Sequence, residues 1–448
     1  MTVSTKYLLT GSLWTIGAFG SGQAIRIITS VILARLLAPE LFGIMLIVSS
    51  LRAGIEFLSD VGIFQSVIHN RNSNHPEFYN TAWSLGVVRS FMIWLIALAI
   101  TAPVATFYES SVLIFVLPAT AFNVVLVGFT SISRILARKR FQIAKLNLFD
   151  LVGSVISSAF SILLAWLSPT VWALVFSGLI SSGLTMIGSY FLLPDVKQQF
   201  YLRKQFVWEI FHYGKWIFLA STIFFLSTNF DRLYLPKVIP LDLLGVYGIA
   251  SSISGLLSTL VMQLGQDVLF PFITAHSHVP RPELRAAVAV SRAKFLLVAA
   301  LCFSFFVATA DLGVRVLYDA RYQAATWMLP VLFVGSWFSM IAHLNESKLL
   351  GLGAPFYNAF GNIFKFLFML IGLPLSVQSY GLLGGITVIA LADLSRYIPS
   401  FFGLRREQFS FGKQDVIFTL AVFFMTALWE WLRNKVGLGT SFESLPVA

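Results

Sequence analysis

Charge is what this sequence has little of. Only 11% of its 448 residues are Asp, Glu, Lys or Arg, while 57% are hydrophobic. A soluble globular chain carries about 25% charge, so a soluble enzyme is excluded. Ordinary Gly and Pro content, with no biased tracts, excludes disordered and fibrous classes. The single cysteine, Cys302, cannot form an internal disulfide and reads as inert packing. No G-x-x-x-x-G-K-[ST] occurs, so the chain has no ATP motor of its own. No H-E-x-x-H or C-x-x-C occurs, and neither a metal nor a cofactor is expected. His276 and His278 fall in a loop and read as solvated. No long extramembrane loop could hold a catalytic domain. The apolar runs are continuous rather than alternating, which excludes an outer-membrane barrel.

What is present is a series of membrane spans, each needing about 20 mainly apolar residues. Thirteen runs qualify: 11–34, 41–65, 80–105, 111–134, 146–167, 171–193, 214–236, 246–272, 290–312, 325–350, 358–378, 381–403 and 416–432. The expected fold is therefore an all-α polytopic membrane protein. Residues 1–193 form an N-terminal six-helix bundle and 214–405 a C-terminal one. Between them, 194–213 holds Pro194, Lys197, Arg203, Lys204 and Trp208 and reads as a cytoplasmic linker with an interfacial helix. Residues 406–448 form an extension with a thirteenth span.

The net charge of +11 could signal nucleic acid, but cytoplasmic loops of membrane proteins collect Lys and Arg. Loops after even-numbered spans, with Lys6, hold 17 basic residues against 7 after odd-numbered spans. That asymmetry puts the N-terminus in the cytoplasm and leaves no charge patch for a nucleic acid.

The halves also repeat. Glu40-Leu-Phe-Gly43 with Ser49-Ser50 lines up with Asp242-Leu-Leu-Gly245 with Ser251-Ser252. Tyr108-Glu109 and Leu117-Pro118 line up with Tyr318-Asp319 and Leu329-Pro330. Phe141 and Asn147-Leu-Phe-Asp150 line up with Phe356 and Asn362-Ile-Phe-Lys365. The matches keep one order, and six spans separate the copies, so the repeat is parallel and encloses a cavity between two bundles.

Charges inside spans are costly and usually face a bundle interior or a water-filled cavity. Arg26 lies in span one beside Gln23 and Ser30. Arg52, Glu56 and Asp60 share one face of span two. Arg89 is in span three, Asp150 in span five with Lys365 as its counterpart in span eleven, Asp267 in span eight, and Asp393 with Arg396 in span twelve. Arg52–Glu56 and Asp393–Arg396 also fit as pairs that hold helices together. Guanidinium suits phosphate through its planar fork of donors. Arg26, Arg52, Arg89 and Lys365 are therefore candidates to bind a phosphorylated anion. Glu56, Asp60, Asp267 and Asp393 are candidates for ion coupling, since a desolvated carboxylate can hold a proton.

Several turns resemble those of the oligosaccharide flippases of the multidrug/oligosaccharidyl-lipid/polysaccharide exporter superfamily. These are Leu37-Ala-Pro39-Glu40-Leu-Phe42-Gly43, Leu58-Ser-Asp60-Val-Gly62 and Asn80-Thr81-Ala-Trp83 in the first half. In the second half they are Asp231 through Gly245-Val-Tyr247-Gly-Ile-Ala250, Val268-Leu-Phe-Pro271 and Leu349-Leu-Gly351-Leu-Gly353. The resemblance covers about residues 8–405 and implies two six-helix bundles forming a V around a central cavity. It further implies a flippase of a bacterial inner membrane that moves undecaprenyl-pyrophosphate-linked sugars by alternating access. The expected partners are the lipid-linked oligosaccharide, membrane lipid, and polymerase and chain-length components of a polysaccharide assembly system. The arginine candidates lie outside the shared turns, so the resemblance gives them a role only. The alternatives are a multidrug cation exporter of the same fold and a membrane polysaccharide polymerase or ligase. An excess of intramembrane arginine weighs against the first, and the lack of a large outer loop against the second.

Overall fold

A computed structural model describes residues 5–59, 63, 67, 75–140, 142–276, 278–443 and 445. Asp60, Arg71 and Phe141 lie outside the described residues. The first half consists of helices α1 (Thr5–Leu36), α2 (Pro39–Leu58), α3 (Pro76–Phe107), α4 (Leu113–Gly128), the short α5 (Ser133–Lys139), α6 (Ile143–Leu167) and α7 (Val171–Ser189). The second half consists of α8 (Lys204–Val238), α9 (Leu241–Leu264), α10 (Arg281–Leu317), α11 (Ala325–Gly351), α12 (Phe356–Arg406) and α13 (Gly412–Lys435). After α9 the helix continues through a π-helical turn, Gly265–Leu269, into Phe270–Ala275. Nine helices among the described residues are long and apolar enough to cross a membrane, and each sequence-predicted span falls on a helix.

Local sequence sets the helix starts. α2 and α3 open on Pro39-Glu40 and Pro76-Glu77, and α10 carries Pro282-Glu283 in its first turn. Proline there gives up an amide that has no helical partner, and the acid complements the positive helix end. α12 is two spans. Tyr380 and Gly381 break it, and Gly381 adopts φ 59°, ψ −151°, a conformation essentially restricted to glycine. Past the break the chain folds back. A Cβ at Gly372 would meet Val388, one at Gly384 would meet Ser376, and one at Gly403 would meet Tyr357. Those pairings trace an antiparallel helical hairpin closed by small residues, as membrane helices favour.

The repeat is visible in the helices. Tyr108 and Tyr318 each cap the C-terminus of the equivalent helix, α3 and α10. Pro118 and Pro330 are each the sixth residue of the helix that follows, α4 and α11. The copies differ where α4 stops at Gly128 and restarts as α5, whereas α11 is unbroken. At that break Tyr190 Oη donates to Phe129 O at 2.8 Å and Ser131 N to Ser189 Oγ at 2.8 Å.

By packing, the chain forms two compact units. One is Ser21–Asp242, and the other is the chain from Leu243 together with its start up to Gly20. The linker is part strap and part helix. Residues 194–203 hold a turn at Pro194-Asp195 and then no regular secondary structure, and the linker's helix begins at Lys204 as the opening turns of α8. The neighbouring α3 satisfies the backbone of this stretch in place of helical hydrogen bonds. Gln199 N donates to Asn80 Oδ1 at 3.1 Å, Tyr201 N to Ser84 Oγ at 3.0 Å and Arg203 N to Thr81 Oγ1 at 3.3 Å. Arg203 also pairs with Glu77, and Arg140 with Asp195 at 2.6 Å. Leu192, Leu193, Val196, Phe206 and Ile210 bury against Phe78, Tyr79, Trp83 and Leu136 beneath this strap. Packing therefore divides the chain at Asp242, beyond the linker, and α8 belongs with the first unit: Phe225 fills the space beside Gly54, and Tyr108 Oη donates to Leu233 O at 3.0 Å.

In the second unit α11 is the central helix, with 83% of its most apolar window buried. The thirteenth span is a helix, α13, that docks on α10 through a buried ion pair at each end, Arg292–Asp415 and Arg433–Asp311. The matched numbering shows that the two helices run parallel. Residues 292 and 311 are about 28 Å apart along a helix, close to the roughly 30 Å of a hydrocarbon core. Cys302 is exposed on the side of α10 rather than packed inside. Arg292, Lys348 and Arg433, which stand at the ends of their sequence-predicted spans, are buried helix residues.

Candidate functional site: two intramembrane charge networks

The first network lies in the unit Ser21–Asp242. Arg52 Nη1 stands 2.6 Å from Glu56 Oε1 at i,i+4 spacing, with both side chains about one-third exposed. Arg89 reaches across from α3 to the end of α2. Its Nε donates to Ser59 O at 2.7 Å and its Nη2 to Glu56 O at 2.6 Å. Glu56 O also accepts from Ser59 N and Ser59 Oγ, and the guanidinium joins them at the last carbonyls of the helix, so Arg89 caps α2 and complements its negative end. Arg26 is exposed on α1 and makes no ion pair or hydrogen bond among the described residues. Beside it, the buried Gln23 Oε1 has no partner either. The structure thus brings Arg52, Glu56 and Arg89 together around the C-terminal turn of α2 and leaves Arg26 exposed on α1, outside that group.

The second network lies in the other unit. Lys365 Nζ donates to Asp393 Oδ1 at 3.0 Å. Arg396 Nε lies 2.9 Å from the same oxygen, and its Nη1 lies 3.4 Å from Glu346 Oε1. Glu346 Oε2 is 3.2 Å from His343 Nδ1, and His343 Nε2 is 3.3 Å from Arg396 Nη2. Two carboxylates, two cations and an imidazole from α11 and both arms of α12 thus form one chain. With His343 neutral the charges balance, which is how buried ionic groups are tolerated. A proton added to any acid or to the imidazole would upset that balance and release a cation.

Sequence reasoning found Lys365, Asp393 and Arg396 but missed His343 and Glu346. Their signal was available: they are i,i+3 neighbours near the end of an otherwise apolar run. Asp267 is exposed in the π-helical turn. Such turns insert a residue into a helix and recur at functional sites. Asp150 is exposed and pairs with Arg134 at 2.5 Å, whereas its repeat counterpart Lys365 is half-buried. Among the described residues no cluster of His, Cys, Asp and Glu could hold a metal ion.

Comparison with known proteins gives the family and the fold. A family profile described as "Polysaccharide biosynthesis protein" matches residues 32–326. The chain is 24% identical over 60% of its length to "Amylovoran biosynthesis protein AmsL" of Erwinia amylovora, covering 69% of that protein. It is 19% identical over 74% of its length to "Succinoglycan biosynthesis transport protein ExoT" of Rhizobium meliloti (strain 1021), covering 66% of it. The chain therefore spans about two thirds of the length of these curated relatives. Among solved structures, "Lipid II flippase MurJ, inward closed conformation" superposes with a TM-score of 0.70 at 12% identity, over 96% of both chains. An inward-facing multidrug resistance MATE family transporter of the MOP superfamily superposes with a TM-score of 0.67 at 14% identity, over 86% of this chain and 94% of that one. The fold is theirs. Because the family profile spans more than half of the 448 residues, this multi-pass helical membrane protein belongs to the polysaccharide biosynthesis protein family.

Proposed function

We propose that the chain is a flippase. It carries polyprenyl-pyrophosphate-linked oligosaccharide repeat units across the bacterial inner membrane by alternating access, for polysaccharide assembly. The observation that carries this reading is the family match on a chain with the lipid II flippase fold. The Lys and Arg asymmetry supports a cytoplasmic N-terminus. A polymerase and chain-length components are the partners that would consume the exported repeat unit.

The geometry ranks the candidate residues. Arg26, exposed and unpartnered, is the guanidinium available to a pyrophosphate. Arg52 contributes if Glu56 releases it, and Arg89 serves chiefly as a helix cap. Lys365 is held by Asp393 and reaches an anion only when that pair opens. Ion coupling falls to Asp393, extended by Glu346 and His343, because protonation there breaks a balanced network. Glu56, Asp60 and Asp267 remain secondary candidates.

The test is transport of a fluorescent pyrophosphate-linked oligosaccharide in proteoliposomes, read by dithionite quenching of the outer leaflet. Wild type moves the lipid, and Arg26→Ala slows it at least tenfold with an unchanged thermal midpoint. Wild-type protein that moves no lipid-linked sugar but expels organic cations would replace this reading with the multidrug exporter one.

A further inference from the structure

One set of buried polar groups plays no part in either charge network. It lies where α10, α11 and α13 meet. Lys348, in the last turn of α11, is fully buried, and its Nζ has no hydrogen-bond partner. The ammonium sits 4.8 Å from the centre of the Phe411 ring. Arg292 sits 5.0 Å from the same ring and is 6% exposed. Its Nη2 pairs with Asp415, but its Nε has no partner. Asp415 also accepts from Tyr397 Oη at 2.8 Å. Asn345, one turn before Lys348, is 1% exposed, and neither atom of its amide has a partner.

Arg292 from α10 and Lys348 from α11 meet at the Phe411 ring. Trp337 Nε1 donates to Thr419 Oγ1 at 3.0 Å, and Lys348 lies over Phe411, so α11 runs antiparallel to α13. Positions 337, 341, 345 and 348 follow helical spacing, which puts Asn345 level with the Asp415 turn. The buried charges there are two cations against one carboxylate. At the far end of α13 the buried pair Arg433–Asp311 balances one to one. An unpaired buried ammonium is strongly disfavoured. A single negative charge would balance the near end, and the leftover N–H donors of Lys348, Arg292 and Asn345 are what an anion accepts from. Full burial leaves no approach for a lipid headgroup, so the anion is small.

We propose that Lys348, Arg292 and Asn345 form a site for one small inorganic anion of the halide class, which completes the docking of α13 on α10 and α11. The site is independent of the transported substrate.

The experiment uses the purified full chain in detergent, with gluconate, chloride or bromide as the only anion. Wild type gains a few degrees in thermal midpoint, saturably, when chloride or bromide replaces gluconate. Lys348→Met removes the excess charge, so its midpoint no longer responds to halide and in gluconate equals or exceeds that of wild type. Asn345→Leu keeps the charges and raises the half-saturating halide concentration several-fold. Anomalous scattering from crystals in bromide places a peak beside Lys348 Nζ, a measurement that needs no variant. A wild type indifferent to halide, a halide response that survives Lys348→Met, or bromide found only elsewhere overturns the proposal.

Discussion

Arg89 caps a helix that is not its own. Its two donors hold Glu56 O and Ser59 O at 2.6 and 2.7 Å, so α3 closes the C-terminus of α2. Hydrogen bonds from charged groups contribute about 1.5–3 kcal/mol. Arg89→Ala should destabilise the purified protein by about 2 kcal/mol with no substrate present. Arg89→Lys, with a single ammonium, should recover part of that. An unchanged thermal midpoint in Arg89→Ala would exclude the capping role.

The second network predicts non-additive substitutions. Removing one member of a buried ion pair costs about 3–5 kcal/mol, because the partner is left uncompensated. Asp393→Asn strands Lys365 and Arg396, and Lys365→Met removes one of them. The double variant should therefore be more stable than the sum of the single effects by at least about 1 kcal/mol. Denaturation of the four proteins in one detergent closes the cycle, and simple additivity would show that the pair carries no coupling.

Gly335 sets the approach of α11 to the second arm of α12. A Cβ there would lie 2.6 Å from the Ala390 Cα. Gly335→Leu must push the helices apart, at a cost of about 1–3 kcal/mol or more. Because the charge network spans the same interface, the variant should also weaken Arg396–Glu346. Reduced thermal stability together with lost transport is the expected readout, while Gly353→Ala, at a site with open space but φ +78°, should show only mild backbone strain.

Acid should loosen the strap at 194–203. The hydrogen bond from Arg140 is the main reason the Asp195 carboxyl is held below its usual range. A lowered folded-state value means the contribution is complete above the ordinary carboxylate value, about pH 4, and fades as pH falls through the folded value. Hydrogen exchange at the amides of Gln199, Tyr201 and Arg203 should therefore show steady protection from neutral pH to about pH 5 and a loss below pH 4. Asp195→Asn should remove the acid-dependent part of that loss.

Much of the fold was legible because burial in a bilayer imposes one rule, long apolar runs, on every span. The order of helices, the repeat and the Arg52–Glu56 pair follow from spacing alone. Three features did not. Where the strap at 194–203 ends and the linker's helix begins depends on Asn80, Thr81 and Ser84, more than a hundred residues away in sequence. Lys348 and Arg292 resembled loop charges because they stand at span ends, and only packing with Phe411 and Asp415 shows them buried. Arg89 had no acidic neighbour on its helix, and two of its partners proved to be backbone carbonyls, which a sequence does not display.

The parallel run of α10 and α13 also fixes where the chain emerges. Both helices start at one membrane face and finish at the other, since Arg292 meets Asp415 and Arg433 meets Asp311. The stretch 436–443 therefore leaves on the same side as the turn that follows α10. A label attached after Glu443 would share its compartment with one on Arg321, whichever way round the protein sits in its membrane.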